Sequence, residues 1–228
     1  MNDKSRLILA LDGLTLDQAI SLVSHTRDKL WAVKLHNLFD RYGAEAIRAL
    51  RSAGAERLWV DAKLHDIPGT VLARATAIAE CGANIITVHA SGQVEMMQAA
   101  KKSGLMIFGV TVLTSLDDEL GKAVYGDSPS VVVPKLADLI VEAGLDGIVC
   151  SAKEVGSLVH ITQDTSLKLI VPGTRSPGKK MGDQKRSTTP AEAIQAGATH
   201  LVVASQVTGS SDPVGELQVI EEEIAAVQ

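Results

Sequence analysis

Residues 57–70 read RLWVDAKLHDIPGT, and the passage from apolar to charged within that stretch decides how the chain folds. Leu58, Trp59 and Val60 have the character of a buried strand. Asp61, Lys63 and Asp66 then crowd three charges into six residues, and Ile67-Pro68-Gly69 punctuates the end. A strand that is apolar along its length and charged at its C-terminal end belongs to a sheet covered on both faces, with its polar chemistry gathered at one rim.

Outward from this stretch the same unit repeats. Short aliphatic runs fall at 6–12, 31–36, 57–63, 84–90, 105–113, 146–151, 167–173 and 200–205. Each is nearly all apolar rather than alternating, as parallel strands with two covered faces require. Helical spacing occupies 15–29, where Thr15 is placed to cap, and then 41–53, 70–82, 93–103, 131–143, 152–161, 190–196 and 213–226. Small Ala-Gly or Cys-Gly turns at 53–55, 81–83, 143–145 and 196–198 suit helices turning back into strands. An open doubly wound sheet also alternates in this way. About eight repeats in 228 residues, with no GxGxxG turn after the first strand, favour one closed α/β barrel of the TIM, (β/α)₈ type, spanning 1–228 as a single domain.

The bulk composition agrees. Hydrophobic residues make up 46% and aromatics only 3%, so the core rests on Val, Ile, Leu and Ala. A net charge of −5 argues against nucleic acid as a partner but not against a local basic pocket for a phosphorylated small molecule. Cys81 and Cys150 have neither disulfide nor metal-ligand spacing, which fits a reducing compartment. With no signal-like or membrane-spanning apolar run, the expectation is a cytoplasmic protein without a membrane partner.

In a barrel the C-terminal strand ends form the active face. Those ends carry Asp12, Lys34, Asp61 with Lys63, His89, Thr111 with Thr114, Ser151, Arg175 and Ser205, too polar a set for packing. Asp61 and Lys63, two apart on a strand, point the same way, and Lys34 ends the neighbouring strand. Alternating lysines and aspartates keep one another ionised. From spacing alone both a structural ion-pair network and a catalytic array remain open.

The stretch DAKLHDIPGT closely resembles the D-x-K-x-x-D signature of the bacterial orotidine 5′-phosphate decarboxylase family, and the resemblance covers nearly the whole chain. It runs through LALD (9–12), VK (33–34), TVHASG (87–92), VTVLTSLDD (110–118), AGLDGIVCSAKE (143–154), VPGTR (171–175), GDQKRSTTPAEAI (182–194) and AGATHLVV (196–203). D-x-K-x-x-D is shared with sugar-phosphate relatives; TVLTSL, DGIVCS and GDQKR are more specific. The resemblance implies removal of the C6 carboxylate of orotidine 5′-phosphate as carbon dioxide, leaving uridine 5′-phosphate, with no metal or organic cofactor. It makes Lys63 the donor of a proton to the C6 carbanion and sets Asp61 against the leaving carboxylate. It gives Lys34 to the ribose side and to Asp61, and Asp12 to a ribose hydroxyl. Asp66, Ile67 and Thr70 would reach a neighbouring subunit's site, which implies a homodimer with shared sites. Thr114 would contact the pyrimidine. Residues 174–189 would form a phosphate-gripping lid through Arg175 and Gln184.

Three positions depart from the family pattern. VVASQVT replaces the usual VVGRPIT, so the Ala204 amide and the Ser205 hydroxyl stand where a glycine and a phosphate-binding arginine are expected, with Gln206 following. A lost charge-assisted contact, ~1.5–3 kcal/mol, weakens binding roughly ten- to a hundredfold. Arg175 and the lid lysines Lys179, Lys180 and Lys185 are the available compensation. VKLHN replaces VKVG, which puts His36 either in packing at the rim or in contact with ligand. Gly69 stands in DIPGT where DIPNT is usual.

His65 reads as structural, His89 as lining or orienting, Met96 and Met97 as core or interface, and Cys150 as a buried thiol. The altered positions keep two rivals in view. One is a related barrel decarboxylase of the 3-keto-gulonate 6-phosphate type, distinguished by magnesium dependence. The other is a nucleotide-binding paralogue without turnover.

Overall fold

Strands that are apolar on both faces need an interior on one side and helices on the other, and the computed structural model meets that need with a barrel. It describes residues 5–162, 165–179 and 188–227. The strands are β1 (Leu7–Ala10), β2 (Ala32–Leu35), β3 (Leu58–Leu64), β4 (Ile85–His89), β5 (Met106–Val110), β6 (Gly147–Val149), β7 (Lys168–Pro172) and β8 (His200–Val203). They pair in parallel in chain order and close, β1 on β8, with Leu7 opposite Leu201 and Leu9 opposite Val203.

Two apolar layers follow from the period-2 alternation of a strand. Leu7, Leu9, Val33, Leu35, Leu58 and Val60 join the core shared with the helices. Ile8, Ala10, Ala32, Trp59, Ile85, Phe108, Ile170 and Val202 form a separate cluster, the filling of the bore. Although aromatics are scarce, three of them, Trp31, Trp59 and Phe108, belong to this cluster, and Trp59 and Phe108 meet edge to face at 5.1 Å between ring centres. Such a pair adds ~0.5–1.5 kcal/mol beyond its buried area. The indole N–H of Trp59 donates to Thr87 Oγ1 at 2.6 Å, so no polar atom of the ring is stranded. Gly147 is needed beside them, because a Cβ there would lie 2.7 Å from Ile170 Cδ1 and 2.9 Å from Phe108 Cδ1.

The helices are α1 (Leu16–Thr26), α2 (Asn37–Tyr42), α3 (Ala44–Ser52), α4 (Pro68–Glu80), α5 (Gln93–Lys101), α6 (Asp118–Tyr125), α7 (Pro129–Glu142), α8 (Ala152–Thr162), α9 (Pro190–Gln195), α10 (Ser205–Thr208) and α11 (Pro213–Ala225). Thr15 caps α1 as its sequence suggests, in a reciprocal capping box with Gln18. The single helix expected over 41–53 is instead two, α2 and α3. Gly43 between them takes φ 52° and ψ −127°, a conformation that ends one helix and opens the next. Helices α6 and α10 were not expected, nor was the part of α2 ahead of Arg41; all three lie in the segments leaving the C-terminal ends of β2, β5 and β8. Among the described residues no helix is long and apolar enough to cross a membrane.

Candidate active site

The charged end of β3 is where the barrel departs from regularity. Val60 pairs with Ile86 and Leu64 with Val88, so four steps along β3 match only two along β4. The surplus is a bulge holding Asp61, Ala62 and Lys63, and Lys63 sits at φ 44°. A non-glycine residue in that region marks local strain, which persists where function demands it. Asp61 and Lys63 therefore do reach the same side, but through the bulge rather than through simple strand alternation.

Their side chains meet around one oxygen. Asp61 Oδ2 lies 2.9 Å from Lys63 Nζ and 3.2 Å from Lys34 Nζ, and its side chain is only 8% exposed. His36 Nε2 is a third contact at 2.7 Å. Asp61 Oδ1 is buried with no partner among the described residues. Burial pushes the Asp61 carboxyl upward, but Lys34, Lys63 and His36 together outweigh it and hold the group below its ordinary range. Lys34 also reaches Asp12 Oδ2 at 3.4 Å, which links the end of β1 to β2 and β3.

The network lines a cavity of about 230 Å³, together with Thr114, Arg175 and Ala204. An adjoining cavity of about 200 Å³ shares Thr114 and continues to Ser151 and Glu154, whose side chains are hydrogen-bonded to each other. His89 ends β4 near the network, and burial, then His65 and Lys63, lower its pKa, which favours the neutral ring. Its ring lies 5.6 Å from that of His65. Cys150 is fully buried, and burial with the nearby Glu154 raises its thiol pKa, so it is no nucleophile.

The phosphate corner expected from the sequence is arranged differently from its simplest reading. Arg175 is 9% exposed, and its Nη2 donates to Ser205 Oγ at 2.9 Å while Nη1 donates to the Thr174 carbonyl at 2.8 Å. Arg175 Nε is buried without a partner among the described residues. Ser205 thus accepts from the arginine and keeps its own O–H for a further acceptor. Gln206 ties this corner down. Its Oε1 accepts from Ser176 N–H at 3.1 Å, and its Nε2 donates to Ser176 Oγ at 2.8 Å and to Glu216 Oε2 at 3.1 Å. Lys179 caps the brace by pairing with Glu216.

Asp66, Ile67 and Thr70 do not join the network within the chain. They lie at the start of α4, where Asp66 Oδ1 accepts from Ile67 N–H at 2.7 Å and Ile67 is 68% exposed. Gln184, Lys180 and Lys185 lie outside the described residues, as does half of the expected lid. The sequence left two readings for His36, and the structure puts it in the network. It gave no sign of the Gln206 brace, which joins segments distant in the chain.

A closed parallel barrel with a buried lysine–aspartate array at the C-terminal ends of its strands has the form of a TIM-barrel enzyme. The chain belongs to the orotidine 5′-phosphate decarboxylase / HUMPS family, whose model matches residues 5–220. It is 37% identical to a Shewanella sediminis protein named orotidine 5′-phosphate decarboxylase, over 99% of both chains. A Chromohalobacter salexigens protein of the same name is 39% identical over 96% of this chain and 95% of its own. The crystal structure of orotidine 5′-phosphate decarboxylase from Lactobacillus acidophilus superposes with a TM-score of 0.80 at 29% identity, covering 96% of this chain and 99% of that one.

Proposed function

We propose that the protein decarboxylates orotidine 5′-phosphate to uridine 5′-phosphate, a carbon–carbon lyase step in pyrimidine nucleotide synthesis. The observation that carries this reading is the clasp of Asp61 Oδ2 by Lys63 at 2.9 Å and Lys34 at 3.2 Å beside an open cavity. The bond between C6 and the carboxylate breaks, carbon dioxide leaves, and the electron pair stays on C6. Lys63 stabilises that carbanion as an ammonium, gives it a proton, and regains one from solvent. A charge-bearing donor fixed before the reaction starts costs no reorganisation during it.

In this reading Asp61 presses on the substrate carboxylate, and Lys34 and Asp12 hold the ribose side. Thr114 meets the pyrimidine. Arg175, the Ala204 amide, Ser205 and Gln184 take the phosphate. Binding energy from that remote group is spent on the transition state when the lid closes. Asp66, Ile67 and Thr70 complete the site of a second copy, so the working unit is a homodimer. The 68% exposure of Ile67 on the site rim supports this. No cofactor enters the chemistry, 1–228 act as one domain, and the protein works in the cytoplasm. The 3-keto-gulonate 6-phosphate and non-catalytic readings are not favoured, since relatives at 37% and 39% identity bear the decarboxylase name.

The test is the fall in orotidine 5′-phosphate absorbance with purified protein in chelator. Sustained turnover supports the reading. No turnover here, with magnesium-dependent carbon dioxide release from 3-keto-gulonate 6-phosphate, would point to the sugar-phosphate type, and tight binding of uridine 5′-phosphate without turnover to a binding role.

A further inference from the structure

His36 is the network member for which the mechanism above has no task. It stands just past β2, at the start of α2, with its side chain 33% exposed and lining the cavity. Its Nε2 is 2.7 Å from Asp61 Oδ2 and 3.0 Å from Lys63 Nζ. Its Nδ1 is 3.4 Å from Asp12 Oδ1 and 3.5 Å from Lys34 Nζ.

Those distances fix the proton. A ring nitrogen 2.7 Å from a carboxylate oxygen must carry a hydrogen, because two lone pairs would repel at that separation. Nε2 is then a donor and offers nothing to the Lys63 ammonium. His36 and Lys63 instead compete for one oxygen, Asp61 Oδ2. A carboxylate this buried is costly to leave without donors. Without His36, turning the Lys63 ammonium toward a substrate carbon would leave Asp61 Oδ2 with Lys34, at 3.2 Å, as its one remaining donor among the described residues.

We infer that His36 is a positioning residue for the decarboxylation: its Nε2–H keeps Asp61 in place and satisfied, which frees Lys63 to turn its proton toward C6. Lys34 Nζ lies 3.5 Å from Nδ1 and 3.4 Å from Nε2, so its ammonium sits against the ring rather than on one nitrogen. A second proton would convert Nδ1 into a donor toward Asp12 and add a cation to the network. The charged and titratable groups facing the ring are Asp12 beyond β1, Lys34 on β2 and Asp61 and Lys63 on β3. His89 on β4 faces His65 and, like the ring of His36, feels Lys63 and Asp61. Burial, then Lys34, lowers the His36 pKa, so the working neutral form prevails at neutral pH. This inference rests on the proposed decarboxylation for its rate effects and on geometry alone for its tautomer.

The experiment compares wild type, His36→Leu and His36→Gln, since a glutamine amide can donate where Nε2 does. We expect kcat to fall about tenfold or more in His36→Leu, with KM within about threefold, and to recover most of that loss in His36→Gln. The wild-type kcat should show an acid limb centred below pH 6.5 that both variants lack. Unchanged kcat in His36→Leu, equal loss in both variants, or a limb that survives in them would overturn the inference. Histidine ¹⁵N spectra of the wild type need no turnover. At neutral pH they should show a neutral ring protonated at Nε2, altered in Asp61→Asn. A ring protonated at Nδ1 alone would overturn the inference even if the fold of a variant failed. Absence of turnover in the wild type would count against the decarboxylase reading instead, with the spectra still deciding the position of His36.

Discussion

Lys63 brings its Nζ to 2.9 Å from Asp61 Oδ2 while its own backbone is held at φ 44° in the β3 bulge. Reactive geometry and backbone strain are thus properties of the same residue. Lys63→Ala and Lys63→Gly should both lose about 10³-fold or more in kcat, since each removes the proposed acid. They should differ in stability: glycine accepts positive φ freely, so Lys63→Gly should exceed Lys63→Ala by about 1 kcal/mol in urea denaturation. Equal midpoints would mean that the bulge stores no strain at this residue.

Ser205 holds Arg175, so its loss should be felt as binding rather than as chemistry. Ser205→Ala frees one guanidinium nitrogen, and KM for the phosphorylated substrate should rise about three- to tenfold with kcat nearly constant. Steady-state kinetics of the variant check this. A fall in kcat with constant KM would place Ser205 in the transition state instead.

The proposed sharing of sites between two copies makes a distinctive prediction. Lys63→Ala and Asp66→Ala should each be nearly inactive, yet a mixture refolded or co-expressed should regain about a quarter of wild-type activity, because half of the random dimers contain one intact site. Ile67→Glu should shift the chain to monomers in sedimentation and lower activity with them. No regain on mixing would assign Asp66 a role inside its own chain.

At the opposite end of the barrel, His200 starts β8 with its ring 4.3 Å from that of Trp31. Burial, then Lys168, Arg6 and Arg57, depress its pKa to about 3. The unfolded chain, with an ordinary histidine near 6.5, takes up the proton first. Stability from this site is therefore whole above about pH 6.5 and shrinks as pH falls toward about 3, by up to ~1.4 kcal/mol per pH unit. His200→Phe keeps the ring contact and should narrow the difference between urea midpoints at pH 7 and pH 4.5. An unchanged difference would assign acid sensitivity to other groups.

The barrel was legible because each of its strands is apolar on both faces, a pattern that survives without tertiary information. Helices α2 and α10 were not, being too short to show a period, and α6 was hidden inside a polar loop. Asp61 and Lys63 were legible as a pair from their spacing, although the bulge that joins them leaves no mark in RLWVDAK. His36 needed the approach of β2 to β3 before its two readings separated, since the deciding distance is to Asp61, 25 positions away. Gln206 gave no signal because its partners, Ser176 and Glu216, lie on different segments of the chain.

The most direct measurement is release of labelled carbon dioxide from carboxyl-labelled orotidine 5′-phosphate by wild type and Lys63→Ala, in chelator, at concentrations that favour dimers. Decarboxylation through Lys63 should give one carbon dioxide per uridine 5′-phosphate formed by the wild type and essentially none from Lys63→Ala. Release at comparable rates from both proteins, or none from a folded wild type, would contradict it.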